Sequence, residues 1–533
     1  MGESTWLHLQ TDALLRYEKA WGRHNFSAMA GASYENRVDQ YSSITGRGFT
    51  NSALKYETVS GAEKVTTATG RSQWMLASAF TRLTYDWSGR YFATFTARAD
   101  GSSKFAEGHR WGFFPSGALG WRIDREPFMD GVDAVSLLKL RASYGVSGNQ
   151  GISPYQTFEM YGWDYFWSGD KEYTVYGVGY QSGREGIGDR YVTYAGMANH
   201  DLSWEKTSQF DIGVDLGLFD DRLTLTLDYY RKYTSDLLRQ QYLAPSSGFD
   251  TVWVNDGEIL NQGFEFNLSG RIVDTRDWTL SATGIFSLNR NKVLRLGTNE
   301  NSGFTTDPNG ISFTAYGGSV YDSPFLNVLA IGYPVNVFYG YQANGITQSE
   351  IGDGTSRYTE PGEINYVGLR EDGTFDASQR RIIGDPNPKF TASLSVNLSH
   401  RCGVDFSMLL YSVYGNDIFS YRKLDSMSYR GNFWTYENPS RYYPKLRYNR
   451  SYVASSWSVE DGSFLRISNI TLGYTLPQGY VSWLKKLRLY LSVNNPYTFM
   501  NTSSYDPEVG ENGNGYPAYP KVCTITTGLE LKF

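Results

Sequence analysis

Residues 210–230 read Phe210-Asp211-Ile212-Gly213-Val214-Asp215-Leu216-Gly217-Leu218, then Phe219-Asp220-Asp221-Arg222, then Leu223-Thr224-Leu225-Thr226-Leu227-Asp228-Tyr229-Tyr230. Apolar residues occupy every second position on both sides of a short polar turn. Because strand side chains alternate between faces, Phe210, Ile212, Val214, Leu216 and Leu218 share one face, and Asp211, Gly213, Asp215 and Gly217 share the other. The hairpin therefore has one apolar and one polar face, as expected of a barrel wall with lipid outside and water inside.

The unit recurs. Phe264-Phe266-Leu268 and Trp278-Leu280-Ala282-Gly284-Phe286-Leu288 flank a turn at 274–277, and Phe390–Leu398 and Val404–Leu410 flank 399–403. Further pairs surround Gly22, Gly89, Glu126 and Gly479. Between hairpins the connections are long: 35–72, 99–111, 148–202, 234–258, 291–387, 417–462 and 499–519. Loops beyond about 15 residues are uncommon in compact soluble domains, whereas short turns on one rim and long loops on the other describe a bacterial barrel. The count is about 15 strands, with two more if 332–347 forms a hairpin. An odd count leaves unpaired edges that lipid cannot satisfy, so strands upstream of Trp6 are expected. The last strand, Cys523 to Phe533, alternates as well and ends on an aromatic. Leu223, Leu225, Leu227, Leu529 and Leu531 are assigned to the lipid face.

Composition agrees. The 533 residues include 56 glycines, 42 tyrosines, 29 phenylalanines and 14 tryptophans, yet mean hydropathy is −0.44. Aromatic girdles around a polar lumen account for that mixture. No run approaches the roughly 18 apolar residues of a spanning helix. The net charge of −6 and pI near 5.6 argue against a nucleic-acid partner. Cys402 and Cys523 make no motif. The start, Met1 to Trp6, has neither a basic n-region nor an apolar h-region, as for a mature or internal start.

The stretch Arg98-Ala99-Asp100-Gly101-Ser102-Ser103-Lys104-Phe105, with Arg110-Trp111-Gly112-Phe113-Phe114-Pro115-Ser116 and Leu119-Gly120-Trp121-Arg122, resembles the SusC/RagA family of TonB-dependent transporters. Further blocks follow in the family's order: Gly148-Asn149-Gln150, Leu202-Ser203-Trp204-Glu205-Lys206-Thr207, Asn255-Asp256-Gly257-Glu258-Ile259 and Phe338-Tyr339-Gly340-Tyr341. Gly384-Asp385-Pro386-Asn387-Pro388-Lys389, Glu460-Asp461-Gly462-Ser463-Phe464-Leu465-Arg466 and Tyr505-Asp506-Pro507-Glu508 complete the series. The resemblance spans residues 74–533. It implies an all-β fold, an antiparallel transmembrane β-barrel with about 15 of the family's 22 strands present and long extracellular loops. Residues 1–533 are then the C-terminal portion of the barrel, without plug domain, TonB box or first strands. It further implies a cell outer membrane location in contact with lipid, and import of glycan or peptide nutrients beneath a SusD-like surface lipoprotein. TonB-ExbB-ExbD would act only through the missing N-terminal part. The alternative is a soluble or surface-exposed β-rich glycan-binding protein without transport activity.

No catalytic motif is found. His8, His24, His109, His200 and His400 lack metal-ligand spacing, and neither cofactor nor metal is expected. The segment 361–385 is acidic, but Gln379-Arg380-Arg381 stand where a calcium loop needs its closing acid, so it reads as a solvated turn. The candidate substrate or lid contacts are aromatic loop residues: Tyr161, Trp163, Tyr165 and Trp167; Phe338, Tyr339 and Tyr341; and Tyr429, Trp434 and Tyr436.

Overall fold

A computed structural model describes the chain except residues 1, 50–57, 159–160, 169–170, 179–196, 244–250, 298–304, 307–310, 318–325, 352–355, 357, 425–431, 448–451, 478–482 and 516–519. For some strand segments, among them 161–168 and 172–178, only the backbone is described.

One antiparallel sheet of 15 strands dominates, with the strands in sequence order. They are β1 (Gly2–Trp21), β2 (His24–Phe49), β3 (Ala62–Trp87), β4 (Tyr91–Ser102), β5 (Trp111–Arg122), β6 (Val135–Asn149), β7 (Glu205–Leu218), β8 (Leu223–Ser235), β9 (Glu258–Asp274), β10 (Trp278–Arg295), β11 (Phe390–His400), β12 (Val404–Tyr414), β13 (Phe464–Thr475), β14 (Lys486–Met500) and β15 (Thr524–Lys532). All seven expected hairpins form. β1 and β15 are the outermost strands, and β1 is exposed along its whole length.

Register carries the alternation from strand to strand. Leu227 faces Val214 on one side and Phe266 on the other, and Phe266 faces Phe286. Leu225, Leu216 and Leu268 make the adjoining row, while Leu529 and Leu531 face Leu489 and Leu487. The five leucines assigned above thus share one apolar face. Aromatics border it at both ends: Trp21, Tyr91, Trp121 and Trp278 beside the turns, and Phe113, Tyr144, Phe210 and Tyr414 beside the loops, all exposed except the half-buried Trp121. At the turn end Tyr91 stacks between Trp87 and Trp121, and Glu126 accepts from the Tyr91 hydroxyl and the Trp121 indole at 2.6 and 3.0 Å. Gly403 turns β11 into β12 at φ 98°; a Cβ there would sit 1.9 Å from the Thr475 carbonyl oxygen.

One expectation needs correction, and one alternative left open by the sequence is decided. Segment 35–72 is not a loop: β2 and β3 are each 26 residues long, and their pairing continues to Phe49 and Ala62. Cross-strand bonding there outweighs the weak apolar alternation. Segment 332–347 adds nothing to the wall. Val337–Tyr341 joins a five-stranded sheet with Arg380–Gly384, and Ala343–Ile346 pairs with Ile364–Tyr366. Cys402 and Cys523 are both free and exposed.

Candidate functional site

The polar face of the wall is laced with charge. Arg141 on β6 binds Asp215 on β7 at 2.8 and 3.0 Å. The same Nη2 that reaches Asp215 also lies 2.9 Å from Asp228 on β8, an ion pair without hydrogen-bond alignment. Arg98 binds Asp100 and Ser78, and Asn469 bridges Ser492 and Asn494 at 2.9 and 2.8 Å. Buried charges need partners and hydrogen bonds, and the alternation delivers these partners from neighbouring strands. A polar ligand could pass along this face.

At the loop end, two clusters tie the long connections to the wall. In the first, Phe105, Phe114, Ile152, Leu202 and Trp204 form a small core. The Trp204 indole donates to the Arg110 carbonyl at 2.8 Å. Asn255 and Ser203 exchange hydrogen bonds of 2.7 and 2.8 Å, and Arg295 binds Asp256 and Glu258, each at 2.9 Å.

The second cluster packs three loops into one body around Phe338, Tyr341, Ile364, Phe419, Trp434, Tyr452 and Trp457. Its links are specific. The Tyr341 N–H donates to the Ala454 carbonyl at 2.9 Å, and Phe419 N–H to the Gly513 carbonyl at 2.9 Å. Asn327 donates to the Asn336 and Asn512 carbonyls, each at 2.8 Å. Arg466, only 2% exposed, binds Asp506 at 2.7 Å and also holds Glu508. Burial pushes the Glu460 carboxyl up, but Lys423, the Ser503 N–H and the Thr502 hydroxyl overcome this and hold it below the usual carboxylate range. Asp417 behaves oppositely. Burial raises it, and Asp385 and Asp461 add to the rise, although the Asp385 N–H opposes it.

The expected contact residues divide sharply. Phe338, Tyr339 and Tyr341 are 0–2% exposed; they make the interior of the loop body and offer no contact surface, because the surrounding loops bury them. Trp434 is also buried, its indole donating to Gln348 at 3.1 Å. Tyr436 stands on it with ring centroids 4.8 Å apart and is 79% exposed. Tyr442, not among the expected contacts, is 69% exposed nearby. The segment with Tyr161, Trp163, Tyr165 and Trp167 forms a hairpin, Tyr161–Ser168 with Lys171–Val178; those four side chains, and Tyr429 entirely, lie outside the described residues. In the acidic segment, Asp372 and Asp376 are spent on local bonds to Thr374 and Ser378. Arg466, Asp506, Glu508, Asp385 and Asp417 were missed as a site. For Arg466, Asp506, Glu508 and Asp385 the signal was in the sequence, since they lie in the blocks that carry the family resemblance; Asp417 lies outside those blocks.

The family model for the TonB dependent receptor-like β-barrel matches residues 2–495. The chain belongs to the TonB-dependent receptor β-barrel family. Members of this family are outer-membrane proteins, so the apolar face meets lipid. Receptor P3 of Formosa agariphila is 31% identical over all of this chain and 53% of its own length. The SusC receptor of Bacteroides thetaiotaomicron is 28% identical over 99% of this chain and 50% of its own length. A solved structure of the RagAB peptide transporter superposes with a TM-score of 0.79 at 23% identity, over all of this chain and 56% of the other. This receptor chain spans about half the length of the curated relatives it matches.

Proposed function

We propose that this chain forms the greater part of the wall and the outer-rim loops of a SusC-like importer, which takes up glycan oligomers or peptides through TonB with a SusD-like lipoprotein as lid. The observation that carries the reading is the pairing of an apolar outer face with a charged inner face beneath a single clasped body of loops. The alternative of a soluble glycan binder would have to leave the Ile212–Tyr229–Phe264 surface in water, well beyond a usual exposed patch. In lipid, the free edges of β1 and β15 call for further strands, because an unpaired backbone group there costs several kcal/mol. The relatives' names bear on cargo: one is SusC, and the superposed structure is of a peptide transporter.

The long loops face outward in this reading, and Tyr436 and Tyr442 are the described aromatics placed to meet lid or cargo. Photocrosslinkers at these two positions in intact cells should capture the lipoprotein, and crosslinkers at buried Phe338 or Tyr341 should not. Labelling of Tyr436 and Tyr442 positions from the periplasm alone would overturn the topology.

A further inference from the structure

On the central strands the outer face is almost free of charge, and below the loop junction its few charges have one sign. On the central strands β6 to β12, every second residue points outward, as the registers through Leu227 define. From Leu260 downward on β9, and over the same face of its neighbours, the charged outward positions are Lys206, Arg231, Arg290 and Lys292, all exposed and all basic. Arg231 faces Gln262, and Gln262 faces Arg290, so the two arginines flank one residue in a single cross-strand row. Two strand spacings place their backbones about 9.5 Å apart. Lys292 follows Arg290 on the same face, opposite Leu260.

No carboxylate lies within ion-pair distance of these four side chains among the described residues. The nearest acid above them on β9, Glu258, is spent on Arg295 at 2.9 Å and on the Tyr233 hydroxyl. Arg290 also lines a cavity of about 440 Å³ with Asp385, Asp417 and Asp461. One of its nitrogens donates to the carbonyls of Asn289 and Lys389, each at 2.9 Å, and more weakly to that of Pro388. That arrangement fixes the guanidinium at the edge of the wall.

Directly below the basic row comes an apolar one. Ile212 faces Tyr229, Tyr229 faces Phe264, and Phe264 faces Leu288; the Tyr229 and Phe264 rings are 5.0 Å apart. Unpaired cations over an aromatic and aliphatic belt match an amphiphile with an anionic head and acyl chains. A general requirement for snorkelling cations does not account for the pattern, because the outward faces of β4, β5, β11 and β12 carry no such residue.

We propose that Arg231, Arg290 and Lys292 form a docking site for the phosphate-bearing headgroup of an outer-leaflet lipid, whose acyl chains lie along Tyr229, Phe264 and Leu288. Two or more cations about a strand-pair apart suit a lipid with more than one phosphate. Guanidinium groups bind phosphate oxygens in a bidentate fork, and partial removal from water makes that contact resistant to screening.

The test uses the full-length protein extracted from its outer membrane and placed in phosphatidylcholine nanodiscs, doped with lipid A or with its dephosphorylated form. Native mass spectrometry should show lipid A retained at least 10-fold over the dephosphorylated form. The R231Q/R290Q/K292Q variant should lose that preference, while K232Q, on the inward face of the same strand, should keep it. Heat-modifiable migration on a gel confirms that each variant is folded. Equal retention of the two lipids by the parent protein, or an equal loss in K232Q, would overturn the site. Displacement of lipid A by an equal concentration of inorganic phosphate would do so too, because it would reduce the site to a bare anion contact.

Discussion

Leu227→Arg tests the assignment of faces most directly. Leu227 lies four residues from Leu223 at the turn and four from Arg231 at the basic row. Four strand residues rise about 13 Å, or about 10 Å in height at a tilt near 40°, against an apolar band about 25 Å tall. Leu227 therefore sits near mid-height, facing Val214 and Phe266, with no carboxylate directly opposite it on either neighbouring strand. An arginine at the bilayer midplane of a barrel costs about 2–4 kcal/mol, roughly a 30-fold to several-hundred-fold loss in the folding constant. Thr226→Arg is the matched control. The Thr226 hydroxyl donates to Asp215 at 3.3 Å on the inner face, where a new guanidinium would find Asp215 and Asp228. It should cost less than about 1 kcal/mol. Urea titration of folding into lipid vesicles, read by heat-modifiable migration, measures both. A neutral Leu227→Arg with a damaging Thr226→Arg would show the faces to be reversed.

Three further outcomes are expected. Arg466→Ala strands Asp506 and Glu508 and should loosen 501–515 by roughly 2–4 kcal/mol, below the cost for a fully buried pair because Glu508 reaches water; hydrogen exchange should quicken there and leave β13 protected. Gly340→Ala would bring a Cβ to 2.2 Å from the Ala454 carbonyl oxygen, so limited proteolysis should open 337–341 and 452–457 together while the wall persists. The Asp417 carboxyl is raised by burial and by its acidic neighbours, so the folded loop junction binds that proton more tightly than the unfolded chain does. Stability of the junction should rise as pH falls from above the raised pKa towards the ordinary carboxylate range. Asp417→Asn keeps an acceptor for the Asp385 N–H and should remove that gain between pH 7 and pH 5 in an exchange experiment; an unchanged pH dependence would assign it to another group.

The wall was legible in the sequence because a strand's period of two is a local property: Leu223, Leu225 and Leu227 declare their face without reference to any partner. The turns were legible for the same reason, as was the odd strand count. What lies above the wall was not. Phe338 and Tyr341 look like exposed aromatics until loops more than a hundred residues away in sequence, at 452–457, close over them, and Tyr339 until Phe313 and Val328 of its own loop cover it. Arg466 meets partners 40 and 42 residues away; periodicity cannot encode such a pairing, and only the folded loops bring the groups together. The long strands β2 and β3 likewise owe their upper halves to backbone pairing, which carries little side-chain signature. The basic row on the outer face lies between these cases. Each of Arg231, Arg290 and Lys292 has a face set by its own strand's alternation, but their alignment depends on register across three strands, and register is decided only when the sheet assembles.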